Sequence, residues 1–229
     1  MYHVRMFKSN DPADWASVSQ WRKETRNELS ARRLSVSPAE RRSAQESIGQ
    51  RLHKNFPELG DAAIGFYWPI KGEVDLRPLM QTLSAEGADL ALPVVVEKNQ
   101  PLEFWAWDED TRMTRGGWNI PVPAERSLLI PNILLVPLLG FDAAGYRLGF
   151  GGGYYDRSLA AFRLRPMTIG IGYEFSRLPT IFPQAHDIPM DAIVTDTSCV
   201  RFPQDSADKN EPASPPCYQH EFDDTSDTT

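Results

Sequence analysis

Stretches in which apolar side chains recur every three or four positions alternate along this chain with short, continuously apolar runs, the pattern expected when helices alternate with buried strands. Residues 18–56 have helical character, with a break at 35–38. There the stretch SPAE, 37–40, reads as a helix start: Ser37 can cap, Pro38 suits the first helical position and Glu40 completes a capping box. Two helices therefore fit this region. The run at 62–69, bounded by Pro69, reads as a strand, and the turn IKGE leads into a helix over 74–86 that Gly87 ends. Further strands are expected at 90–96, 102–107, 168–174 and 192–196. The most continuously buried candidate is NILLVPLLGFD at 132–142, and a glycine-rich loop follows it, leading into a helix over 154–162.

Strands that are apolar on both faces and alternate with helices predict an α/β layered, Rossmann-like fold, its central sheet largely parallel or mixed and flanked by helices. A single domain over 1–203 is expected, with a flexible lead over 1–17 and a disordered acidic tail over 204–229, rich in Asp, Ser, Pro and Thr. The chain of 229 residues has a formal net charge of −7, which argues against nucleic acid as a general partner. No run approaches the roughly 18 apolar residues of a membrane span and the first twenty residues lack a signal-peptide core, so a cytoplasmic protein is expected. Cys199 and Cys217 are the only cysteines, too few for a disulfide framework or a cysteine zinc site.

The stretch RLGFGGGYYDR at 147–157 concentrates the candidate chemistry. Glycines between a strand and a helix bring backbone N–H groups to a helix N-terminus, where an anion is favoured and phosphate is the natural candidate. Arg147 and Arg157 can add charge-assisted contacts, and Asp156 is a hard oxygen ligand suited to Mg²⁺. The plainer reading is a tight turn in which Tyr154 and Tyr155 pack inward and Asp156 caps the helix. No Gly-Lys-Ser/Thr closes the segment as a Walker A loop requires, and Tyr154 stands where a dinucleotide GxGxxG needs its third glycine. A nicotinamide-dependent oxidoreductase is thereby disfavoured.

The segment at 136–159, VPLLGFDAAGYRLGFGGGYYDRSL, closely resembles the signature of the 5-formyltetrahydrofolate cyclo-ligase family, and similar segments follow in family order at 21–33, 66–75, 90–95 and 186–196. The resemblance implies ATP- and Mg²⁺-dependent conversion of 5-formyltetrahydrofolate to 5,10-methenyltetrahydrofolate by a monomer or weak homodimer; the alternative is a non-catalytic folate- or nucleotide-binding relative. It further implies an ATP cradle of Arg147, Gly149, Phe150, Gly151, Gly152, Gly153, Tyr154 and Tyr155, with Arg22, Lys23 and Arg26 adding nucleotide contacts. Arg147, Tyr154 and Asp156 become the catalytic candidates, Asp156 and Asp191 the metal candidates, and Trp68, Glu73 and Tyr154 the folate contacts. Arg22 stands where the family usually has lysine, which keeps the charge and changes the geometry. A carboxylate at Glu73 can accept two parallel N–H donors from a pterin edge. Without the resemblance, Asp191 reads as a strand-start residue, Glu73 as an exposed turn residue and Trp68 as core. Trp105, Trp107 and Trp118 read as mainly structural, His186 as a loop histidine, and Arg32, Arg33, Arg41 and Arg42 as a solvated helix face.

Overall fold

The computed structural model describes residues 14–203. The expectations for the lead and the acidic tail fall, over 1–13 and 204–229, outside the described residues. Helices α1 (Trp15–Ser35) and α2 (Pro38–Asn55) open the fold. Helix α1 begins at Trp15 rather than 18, because the Asp14 side chain accepts the Ser17 N–H and caps it. The capping box of α2 is complete: Ser37 accepts the Glu40 N–H and the Glu40 carboxylate accepts the Ser37 N–H.

There follow β1 (Ala63–Gly65), α3 (Arg77–Glu86), β2 (Asp89–Val94), β3 (Glu103–Ala106), β4 (Met113–Arg115) and β5 (Pro121–Pro123). Then come β6 (Ile133–Pro137), β7 (Gly140–Phe141), β8 (Arg147–Leu148), α4 (Tyr154–Ala161), β9 (Met167–Ile171), β10 (Ala192–Val194) and β11 (Cys199–Arg201). A seven-stranded sheet has the order β11-β10-β9-β6-β1-β2-β3. Its five inner strands run parallel, and β3 and β11 close the edges antiparallel. The expected mixed, largely parallel sheet is present.

Further differences from the sequence reading concern strand ends, the start of α3 and additional short strands. The apolar run at 132–142 is not one strand: β6 stops at Pro137, and the chain turns into the antiparallel hairpin β7–β8 before the glycine loop. Helix α3 starts at Arg77 because residues 74–76 stay outside it, with the Tyr67 hydroxyl donating to the Val74 carbonyl. The hairpin β4–β5 and edge strand β11 were not anticipated; they have three residues per strand, too short to show an alternating pattern.

Alternation along β6 divides the core. Ile133 and Leu135 join Ile48 and Leu52 of α2 and Met80 and Leu83 of α3 on one face. Leu134 and Val136 join Leu159 of α4 on the other. A Cβ at Gly65 would lie 2.4 Å from Leu134 Cδ2 and 2.9 Å from Phe104 Cδ1, so only glycine fits β1 there. From β1 the chain crosses through α3 to β2 on one side, whereas from β6 it crosses through α4 to β9 on the other. The boundary between β1 and β6 is thus a topological switch point, and the loops leaving the carboxyl ends of both strands open beside each other.

Candidate functional site

Those two loops hold most of the candidate residues. Beyond β8 the loop 149–153 runs to Gly153, which caps α4 with φ +65°, and Gly151 has φ +93°. No atom comes within 4 Å of a Cβ built at Gly149, so the backbone there lies beside open space. Arg157 donates to the Gly152 carbonyl at 2.7 Å and lies over the Tyr154 ring, which Trp118 meets edge-on at 5.5 Å between centroids. Tyr155 turns inward, with the Arg147 guanidinium 5.9 Å from its ring.

From α1, Arg26 reaches the loop directly, its Nε donating to the Gly149 carbonyl at 2.8 Å and its guanidinium 3.3 Å from a Cβ built at Gly151. Lys23 is exposed. Arg22 is turned elsewhere: it donates to the carbonyls of Ile181 and Phe182 at 3.1 and 2.9 Å and pairs with Asp187. His186 beside it is exposed and edge-on to Trp15.

The loop after β1 carries Glu73 on a turn in which Lys71 and Gly72 both have positive φ. Its side chain is only 4% exposed. Oε2 accepts the Ile70 N–H at 2.9 Å, and Oε1 stands 3.7 Å from Arg33 NH2. Burial pushes the Glu73 carboxyl up to about 7, against the Ile70 N–H and the charges of Arg33 and Lys71, which pull it down. Trp68 is half-buried, with Arg77 over one face at 4.6 Å. Phe150 joins the two loops: Arg33 and Lys71 each lie 5.3 Å from its ring centre.

Arg33 corrects the sequence reading. It is buried, not part of a solvated face, and donates to the Lys71 carbonyl at 3.0 Å and the Leu138 carbonyl at 3.3 Å. The available signal was its spacing: residues 18, 22, 25, 29 and 33 form the buried stripe of α1. Arg41 likewise folds back onto the end of α1, donating to the Val36 and Leu34 carbonyls.

The two metal candidates differ in availability. Asp156 Oδ1 pairs with Arg147 at 2.9 Å and accepts the Ile188 N–H at 3.1 Å, whereas Oδ2 accepts no hydrogen bond among the described residues. Arg147 is further held by donation to the Ile188 carbonyl at 3.0 Å. Asp191 Oδ2 accepts both the N–H and the hydroxyl of Thr168, and Oδ1 faces Arg165 at 3.6 Å, so metal binding there requires those pairings to open. Among the described residues no group of three or more His, Cys, Asp or Glu side chains is placed to hold a metal. A hydrated Mg²⁺ bound through one carboxylate and bridging phosphates, its usual mode, fits Asp156.

Residues 18–196 match the 5-formyltetrahydrofolate cyclo-ligase family. The 5-formyltetrahydrofolate cyclo-ligase of Haemophilus influenzae is 26% identical over 179 residues, covering 75% of this chain and 96% of that protein. The NMR structure of Aquifex aeolicus 5,10-methenyltetrahydrofolate synthetase superposes with a TM-score of 0.68 at 32% identity, covering 88% of this chain and 99% of that one. A 5,10-methenyltetrahydrofolate synthetase from Mycoplasma pneumoniae gives 0.63 at 25% identity over 76% of this chain and 98% of that one.

Proposed function

Because the chain belongs to the 5-formyltetrahydrofolate cyclo-ligase family, we propose that its switch-point cleft closes 5-formyltetrahydrofolate to 5,10-methenyltetrahydrofolate at the expense of ATP. In this reading the formyl oxygen attacks the γ-phosphorus of ATP and ADP leaves; N10 then adds to the activated carbon, and loss of phosphate completes the ring. A formamide oxygen is a weak nucleophile, so alignment and stabilisation of the transferring phosphoryl group carry the rate. The carrying observation is the meeting of the two loops at Phe150, which sets a glycine-lined anion cradle beside a buried carboxylate.

The N–H groups of Gly149, Phe150, Gly151, Gly152 and Gly153 cradle the phosphates, with Arg26 adding charge and fixing the loop through Gly149. Arg147 is buried with its guanidinium held by Ile188 and Asp156, a preorganised positive charge for the phosphoryl group. Glu73 accepts the N–H edge of the pterin, while Trp68 and Tyr154 offer ring faces to the folate. Mg²⁺, held by Asp156 with Asp191 as second candidate, neutralises phosphate charge when bound. The protein acts in the cytoplasm as a monomer or weak homodimer, without nucleic acid or membrane; among the described residues no helix is long and apolar enough to cross a membrane.

The test is an absorbance time course with 5-formyltetrahydrofolate, ATP and Mg²⁺, following the methenyl chromophore with ADP assayed in parallel. The two products are expected in equal amounts, neither without ATP, and the rate is expected to collapse when Mg²⁺ is chelated. ADP release without the chromophore would exclude the coupled reaction.

A further inference from the structure

A buried carboxylate tends to take up a proton, and a protonated one cannot accept two parallel N–H donors. The groups facing Glu73 are Arg33 from α1, Lys71 in its own turn, Tyr67 after β1, Tyr155 of α4 and Tyr173 after β9; Arg41 of α2 faces Arg33 and Tyr173 in turn. Burial raises Tyr67, Tyr155 and Tyr173 above the usual phenol range, so they stay neutral through the working pH. Lys71 is exposed and screened by solvent. Arg33 alone among these is a cation with its side chain almost fully buried, at 3% exposure.

The bonding of Arg33 is uneven. Its Nε and NH1 are tied to the Lys71 and Leu138 carbonyls, while NH2 is buried without a hydrogen-bond partner and lies 3.7 Å from Glu73 Oε1. A buried donor without a partner is costly, and here it is aimed at the carboxylate. We infer that Arg33 is a positioning residue for the folate site: from beneath the 70–73 turn its guanidinium favours the ionised form of the Glu73 carboxylate and directs it at the pterin N–H edge. It does so by charge across 3.7 Å and by fixing the Lys71 carbonyl, and the Arg33 guanidinium also lies 5.3 Å from the ring centre of Phe150 in the glycine loop. This inference rests on Glu73 meeting the pterin, and the experiment separates the two.

Steady-state kinetics between pH 6 and 9 would be compared for the parent, Glu73→Gln, Arg33→Met, Arg33→Lys and the double variant Arg33→Met with Glu73→Gln. Arg33→Met is expected to raise the folate KM at pH 7 about tenfold with kcat and the ATP KM within about twofold, as loss of uniform substrate binding predicts. The acidic limb of kcat/KM for folate moves up by about one pH unit or more, because the carboxylate loses its cation. Arg33→Lys returns the limb toward the parent. In the Glu73→Gln background, Arg33→Met moves no limb. Where Arg33→Met fails to fold, Arg33→Gln, which keeps donors for the carbonyls without the charge, replaces it with the same expected limb shift. A parental limb in the uncharged variant, alongside a raised folate KM in Glu73→Gln, would make Arg33 merely structural and overturn the inference. A parental folate KM in Glu73→Gln would remove the pterin contact itself, and the role of Arg33 with it.

Discussion

Glu73 also changes what pH does to the fold. The folded protein holds its proton up to about pH 7, whereas an unfolded glutamate releases it near 4.5. The group therefore contributes its stability in full below pH 4.5 and loses it as pH rises through 7, a change on the order of 3 kcal/mol. Urea midpoints at pH 5 and pH 8 are expected to fall for the parent and to converge for Glu73→Gln; an equally steep fall in the variant would assign the titration to another group. Glu174 acts in the opposite sense, pushed down to about 2 mainly by its hydrogen bond from Arg177, then by Thr195 and Ser198. Its contribution is present above 4.5 and fades as pH falls through 2. Nothing in IKGE disclosed this burial from sequence. A polar turn reads as exposed, and only the packing of α1 beneath it makes the difference.

At the level of elements, the glycine loop works by a conformation that most side chains resist. Gly151 has φ +93°, and a methyl group there would also press on the Arg26 guanidinium 3.3 Å away. Gly151→Ala is expected to cost about 1–2 kcal/mol of stability and to raise the ATP KM about tenfold with the folate KM little changed. Thermal unfolding and initial rates check both; an unchanged ATP KM would remove the loop from the nucleotide site. The loop, the capped start of α2 and the inner strands were legible because each carries its signal within a few residues: glycines, SPAE, or an unbroken apolar run. The end of β6 was not, since the apolar side chains of Leu138, Leu139 and Phe141 remain buried after the strand has turned into a hairpin. Helix α1 misled for the opposite reason. Its buried stripe includes Arg22 and Arg33; the spacing marks the stripe, but their partners are backbone carbonyls and carboxylates of distant loops.

Across the whole molecule, α1 is anchored to both functional loops and to the segment at 181–187 near the far end of the described chain. Arg22→Met would strip Asp187, itself only 10% exposed, of its cation and leave the Ile181 and Phe182 carbonyls without this donor. A loss of about 3–5 kcal/mol is expected in chemical denaturation, together with weaker ATP binding, because Arg26 on the same face loses its reference. A stability change within experimental error would show the anchor to be dispensable. The fold class itself was readable from the alternation of helical and strand patterns, but the switch point was not, because it depends on which way each crossover turns.

The anchor also has a schedule. Arg22 is made early, and its partners Ile181 and Asp187 lie 159 and 165 residues later. At about 5–20 residues per second of synthesis, roughly 8 to 30 seconds pass before they exist. During that interval the first helix carries Arg22 without its partners, so this anchor is among the last contacts of the fold to form.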